Sequence, residues 1–286
     1  MKHEERIADF KAASTLAKAI QVVKGFGAYH QTYCIYTTLD IVEKTLCAIT
    51  PRLWLTRIDS GLFDDGIEAV KYGTKEERER TYIRSFMYGA QESAGMWGLY
   101  SPPTYKAVRI EISKAGIESL KAAKVFKAKG GKNLSAKCAV RSTTLSDLIY
   151  AAVEDEDSPK RRSQNLFWSG AFTGIIKNLS TSKDWKSATG FVKDVEWRFE
   201  NEFRLVVKTK KKVGDHIAVE LPQEFINSMR FTLSPWANAD EKRFVRGLLS
   251  TWLRKSGRDV ESDDKKVFKD SVLCKGLQQW ANKRGL

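Results

Sequence analysis

The sequence predicts a mixed α+β protein. Three observations carry this. Apolar residues recur at helical spacing in two stretches, 4–24 and 240–255. Apolar and charged residues alternate in strand fashion from Ala107 to Ile112 and from Val195 to Val207. Helices and strands follow one another irregularly, with no βαβ period and no internal repeat, which fits a single α+β domain over residues 1–286.

Each element has a local reason. In 4–24, Ile7, Phe10, Leu16, Ile20 and Val23 form one helical stripe, ended by Gly25 and Gly27. Tyr33 to Thr38 is rich in β-branched and aromatic residues and is expected as a strand. Asp40 is placed to cap a helix through Ile41, Val42, Leu46 and Ala48, interrupted by Pro51. Leu53 to Thr56 is a second strand candidate, followed by a polar loop at 58–66 with Gly61, Asp64, Asp65 and Gly66. Residues 74–80 form a charged helical stretch leading into a strand at 82–87. A short segment from Met96 to Tyr100 stops at Pro102 and Pro103. The acidic run Glu154 to Asp157 and the basic residues after it are expected as an exposed excursion. Phe225 and Ile226 suggest a helical turn, and Met229 to Leu233 a strand broken at Pro235. The helix from about Asp240 to Lys255 puts Phe244, Val245, Leu248, Leu249 and Leu253 on one face, and 269–284 is expected as a short amphipathic helix.

Composition narrows the partners. The chain has 49 Lys and Arg against 35 Asp and Glu, a formal charge of +14. Such a surplus suits a polyanion, through counterion release, and equally a solvated lysine-rich surface. The clustering favours the first, with nucleic acid as partner. Lys121, Lys124, Lys127, Lys129, Lys132, Lys137 and Arg141 follow one another with no acid among them. Lys208, Lys210, Lys211 and Lys212 form a second cluster, and Lys160, Arg161 and Arg162 a third. Sequence alone leaves open whether the three converge. Cysteines at 34, 47, 138 and 274 make no CxxC pair, and no secretory segment opens the chain, so reduced thiols and a cytoplasmic location are expected. No apolar run approaches the roughly 20 residues of a membrane span.

Several chemistries lack their residues. The three histidines, His3, His30 and His216, stand apart from one another and from cysteine, so no zinc site is expected. No GxGxxG or P-loop occurs; Gly130-Gly131-Lys132 lacks both the preceding glycine and the following Ser or Thr. No histidine sits in a nucleophile setting.

What remains is a carboxylate pair. If 195–207 is one strand, Glu200 and Glu202 share a face about 7 Å apart, with Arg204 in the same row and Phe199, Phe203 and Leu205 opposite. Two like charges on one face need a cation, solvent or ligand. The row is either an ion-pair ladder or a site.

Five blocks occur in one order: YCIYTTL, RLWLTRIDSGLFDDGIE, RSFMYGAQESAGMWGLY, KAVRIEI and KDVEWRFENEFRLV. This order resembles an uncharacterised bacterial family marked by a Met-Trp-x-x-Tyr block and a Trp-x-x-Glu-x-Glu-x-Arg block. It also resembles the ADP-ribosyltransferase fold, a split β-sandwich that holds NAD in a cleft. The resemblance covers roughly residues 30–235. It implies an N-terminal helix at 1–28, a core at 29–235 and C-terminal helices at 236–286. It implies a mono-ADP-ribosyltransferase that consumes NAD and modifies nucleic acid, of the kind that serves as a toxin or phage-defence effector, with an antitoxin protein as a possible partner. In that reading Glu202 orients the ribose through its 2′-hydroxyl, and Glu200 deprotonates the nucleophile. Tyr36, Thr37, Ser85, Trp97, Tyr100 and Arg204 line the cofactor site, while Lys127, Lys129, Lys132, Lys208, Lys210, Lys211 and Lys212 meet the nucleic acid. Tyr36 departs from the family, whose first strand carries Arg or His there, and Arg84-Ser85-Phe86 matches its Ser-Thr-Ser element only in part. Asp64, Asp65 and Glu68 would shape or cap the cleft. Two alternatives stand beside this: a magnesium nuclease using Asp64, Asp65, Glu200 and Glu202, and a non-catalytic nucleic-acid or partner-binding module.

Overall fold

The computed structural model describes residues 3–61, 73–89, 91–128, 134–154, 165–170, 172–177, 185–261 and 264–273. Its strands, in chain order, are β1 (Thr32–Thr38), β2 (Arg52–Arg57), β3 (Thr81–Tyr88), β4 (Ala107–Ser113), β5 (Val125–Ala128), β6 (Leu134–Lys137), β7 (Val140–Asp147), β8 (Ile149–Glu154), β9 (Asn165–Gly170), β10 (Thr173–Lys177), β11 (Val192–Lys193), β12 (Glu202–Thr209), β13 (His216–Glu220), β14 (Arg230–Leu233) and β15 (Phe268–Asp270). Among the described residues, eleven of them hydrogen-bond into one mixed sheet and four into a smaller one, so the class is α+β. No helix among the described residues is long and apolar enough to cross a membrane.

The chain divides into two compact units built from interleaved segments. The first comprises Met1–Tyr29, Trp54–Phe86 and Lys124–Ala218; the second comprises His30–Leu53, Met87–Ala123 and Val219–Leu286.

In the first unit, β12 pairs antiparallel with β7 from Phe203 opposite Asp147 to Thr209 opposite Val140. The smaller sheet runs β11-β8-β10-β9, with β8 parallel to both neighbours. Its core is closed by two helices, His3–Lys11 and Leu16–Phe26. They bring Phe10, Leu16, Ile20 and Val23 against Ile149, Phe172, Ile176, Phe191 and Val206. The expected single helix over 4–24 is thus two. The chain breaks before Thr15, whose hydroxyl accepts from the backbone N–H of Lys18 and caps the second helix.

In the second unit, β15, β14, β4 and β1 lie side by side, parallel at β14–β15 and antiparallel elsewhere. The alternation of apolar and charged residues from Ala107 to Ile112 would suit a half-buried β4. It is buried on both faces, with Arg109 at 0 % exposure, because its charges are satisfied inside the unit. The helix Leu39–Leu46 starts after Thr38, so Asp40 sits in its first turn and not at the cap. The helix Ala239–Lys255 spans the expected residues and buries Val245, Leu249 and Leu253, but Phe244 is exposed; a capping box in which Asn238 and Glu241 exchange hydrogen bonds starts it. Residues 268–270 are strand, not helix, because Phe231 pairs with Phe268; 274–286 lie outside the described residues. Sequence periodicity placed no strand between 114 and 194, where β5 to β11 lie, since their short runs carry little alternation.

Candidate functional site

The segment expected as one strand from 195 to 207 is two elements. Val195–Glu200 is a 3-10 helix, Asn201 adopts the left-handed conformation at φ 45 and ψ 54, and β12 begins only at Glu202. Asp194 caps the 3-10 helix through the N–H of Glu196. Glu200 and Glu202 therefore do not share a strand face by alternation. Phe199 leaves the supposed apolar row and is 53 % exposed, whereas Phe203 and Leu205 are fully buried. What brings the two carboxylates together is Lys193, at the end of β11. Its ammonium donates to Glu200 Oε2 at 2.6 Å and to Glu202 Oε2 at 3.0 Å, and lies 4.8 Å from the Trp197 ring centroid.

Around Glu202 the arrangement is dense. Arg204, two residues on and on the same face of β12, donates from Nε to Oε1 and from Nη2 to Oε2 at 3.2 Å. The Ser85 hydroxyl, on β3, donates to Oε1. The Glu202 backbone N–H donates to the Tyr150 hydroxyl at 2.7 Å. Glu200, Glu202, Lys193 and Arg204 are all buried. Burial by itself would raise the Glu202 carboxyl. The charges of Arg204 and Lys193 and the hydrogen bonds from Arg204 and Ser85 outweigh it, holding the group down to about 2. Burial and the Glu202 charge push the Tyr150 phenol well above its ordinary value. The site thus offers a fixed, ionised carboxylate whose counter-charges are protein cations.

Beside Ser85, Arg84 has a guanidinium that burial alone pushes down to about 10, and among the described residues its Nε has no hydrogen-bond partner. Among the described residues no three His, Cys, Asp or Glu stand together as metal ligands. Asp64, Asp65 and Glu68 lie outside the described residues.

The residues expected to line a cofactor site fall in both units. Ser85, Arg204 and the two glutamates meet in the first. Tyr36, Thr37, Trp97 and Tyr100 belong to the second, where Tyr36 and Trp97 pack edge to face at 5.0 Å between ring centroids. Trp97 also meets Trp236 at 6.1 Å and donates its indole N–H to Glu92 at 3.2 Å. It is 1 % exposed, so its ring serves the core of that unit. The Tyr36 hydroxyl accepts from the N–H of Ser93, and Thr37 is buried, while Tyr100 is exposed at the end of the helix Ala94–Tyr100. Arg109 stands directly opposite Tyr36 in the β1–β4 register, with its guanidinium carbon 5.7 Å from the tyrosine ring.

Two of the basic clusters converge. The N–H of Lys210 donates to the carbonyl of Ala139 at 2.9 Å, between Lys137 and Arg141, and Lys137 lies opposite Phe126, next to Lys127. Lys127, Lys137, Lys210, Lys211 and Lys212 are exposed along this edge. Lys208 is not. It packs inward with its ammonium 3.2 Å from Glu77, which also holds Arg141, while Lys212 pairs with Glu79 at 3.0 Å. Lys129, Lys132, Lys160, Arg161 and Arg162 lie outside the described residues.

Sequence reasoning missed Lys193, Tyr150 and Arg109. Lys193 opens the last block, but Arg198 stands nearer the glutamate pair in sequence, so spacing did not single it out. Tyr150 had no signal, because a contact across 52 positions leaves no local pattern. Comparison with protein-family models, with curated proteins and with solved structures finds no match to this chain.

Proposed function

We propose that the chain is an NAD-dependent mono-ADP-ribosyltransferase that modifies nucleic acid, built on a split β-sandwich of ADP-ribosyltransferase type. One observation supports this above the others: the Ser85 hydroxyl is bonded to Glu202. These are the serine matched to the Ser-Thr-Ser element and a carboxylate of the Glu-x-Glu block that the resemblance names, and they are separated by 117 positions. Breaking the nicotinamide–ribose bond sends its electron pair out with nicotinamide and leaves an oxocarbenium-like centre at the ribose, which a fixed carboxylate stabilises. Lys193 is closer to Glu200 than to Glu202, so a ribose 2′-hydroxyl can replace it on Glu202 while the ammonium stays on Glu200. The acceptor's lone pair then bonds to the ribose carbon, and its proton passes to Glu200. The lysine edge beside Ala139 and Lys210 supports a polyanionic acceptor. A toxin or phage-defence role with a neutralising protein partner belongs to the same proposal.

The test is incubation of the folded protein with NAD labelled in its adenylate half, together with RNA, DNA or cell lysate. Label transfer with release of nicotinamide, both lost in Glu202→Gln, is the expected result. No transfer and no nicotinamide release would sink the proposal.

A second reading rests on a different observation: the Glu202 carboxylate already accepts from Ser85, Lys193 and Arg204. On that reading the glutamates form a structural ladder, and the chain is a non-catalytic nucleic-acid-binding module acting through the lysine edge. Glu202→Gln would then leave every cellular effect in place, and Lys210→Glu with Lys211→Glu would abolish it.

A further inference from the structure

The second unit holds a cavity of about 400 Å³ where β1, β4 and β14 end, and three of its lining residues are the cations Arg230, Arg258 and Lys266. Ion pairs hold many of the other basic groups described above. Lys193, Arg204, Lys208 and Arg109 each face a carboxylate within 4.0 Å. None of these three does, among the described residues. The one acid in the lining, Glu111, stands opposite Arg230 in the β4–β14 register yet is engaged elsewhere. It accepts from Arg109 and, at 2.5 Å, from Lys269. Its charge is therefore offset from outside the cavity.

Arg258 is half-buried and fixed. One of its terminal nitrogens donates to the carbonyls of Ile226 at 2.9 Å and Met229 at 2.6 Å, at the end of the helix Gln223–Ser228. That leaves the rest of the guanidinium fork for another acceptor. Burial lowers its pKa, Asp264 opposes this, and the nearby charge of Arg230 lowers it further. Two arginines that line one cavity and repel each other gain from an anion between them. Asn227, also in the lining, accepts from Gln223 through its carbonyl oxygen, which leaves its amide N–H groups as donors.

We propose that this cavity binds the phosphate group of a phosphorylated small molecule. A phosphate brings up to two charges and several acceptor oxygens, which matches three cations better than a single carboxylate does. The cavity volume lies within the roughly 300–1,000 Å³ range of small-ligand sites, which favours a compact ligand over a polymer strand. The site lies in a different unit from Glu202, and its occupancy does not depend on ADP-ribosyl transfer.

Isothermal titration calorimetry of the full chain at low salt, with pyrophosphate, AMP and citrate as probes, tests this. Saturable one-to-one binding of pyrophosphate and AMP is expected, tighter than that of citrate. Arg230→Gln with Lys266→Gln, both exposed positions, is expected to weaken it by about tenfold while leaving the melting temperature unchanged. Absence of binding at millimolar pyrophosphate overturns the proposal. So does binding that the double variant leaves intact, and so does a preference for citrate.

Discussion

The ammonium of Lys193 lies 3.0 Å from Oε2 of Glu202 and is the link that lets two buried glutamates coexist. Its second bond, at 2.6 Å to Glu200, ties the end of the 3-10 helix to the start of β12. Replacing it with Met takes the ammonium away from both buried carboxylates, while Arg204 stays on Glu202. A loss of about 3–5 kcal/mol is expected in urea unfolding at neutral pH. The deficit should shrink as the pH falls, because the carboxylates, no longer held down, can protonate.

Acid stability carries the signature of Glu202. Its carboxyl is held down to about 2 in the folded chain, against an ordinary value of 4.5. Between those values the unfolded chain binds a proton that the folded chain does not, so stability rises with pH through this window and is lost as pH falls through it. Unfolding curves at a series of pH values should show this slope in the native sequence. In Glu202→Gln, the same window should be flatter, and stability at neutral pH lower.

Tyr150 tests the backbone side of the cluster. Its hydroxyl accepts the Glu202 N–H, both within the buried interior. Tyr150→Phe leaves that N–H without an acceptor and should cost about 1–3 kcal/mol by denaturant titration.

Asn201 sets the hinge that separates the 3-10 helix from β12. At φ 45 it occupies the region that Gly and Asn tolerate and β-branched residues avoid. Asn201→Gly should leave stability within a few tenths of a kcal/mol, whereas Asn201→Val should lower it by about 1–2 kcal/mol. The valine variant should also lose any activity that needs Glu200 and Glu202 on one ammonium.

In the second unit, the expected ligand-stacking aromatics behave as core. Trp97→Ala removes a ring packed on Tyr36 and Trp236 and should cost about 3–5 kcal/mol, measured by thermal or urea unfolding. Glu92 is the acceptor for Trp97, for the Ser271 hydroxyl and for the N–H of Val272. Glu92→Ala should therefore expose the segment near 271 to limited proteolysis before the rest of the unit unfolds.

Nucleic-acid affinity, where present, should divide along the lysine edge. Lys210→Glu with Lys211→Glu should weaken binding and flatten its salt dependence, since both side chains are exposed. Lys208→Glu should instead lower stability, because Lys208 is packed beside Glu77 and Phe191.

Local chemistry made much of this protein legible. The strand at 33–38 and the helix at 240–255 follow from side-chain shape and spacing, which act over a few residues. Glu202 and Arg204 were correctly read as one row, because alternation along β12 is a property of the strand itself. The same logic failed two residues earlier. Glu200 joins the row through a left-handed Asn201 and a lysine from another strand, and a period of two cannot express that.

The sequence by itself determined the α+β class, the positive charge, the glutamate pair as the outstanding acidic feature and the lysine clusters as its basic counterpart. Only the tertiary structure decided which cations neutralise the pair and which lysines remain free. It also decided that Trp97 lies in a core and that Arg109 stands opposite Tyr36. The reason is physical. Burial and ion pairing depend on distances between residues far apart in the chain, and those distances exist only once the strands have paired.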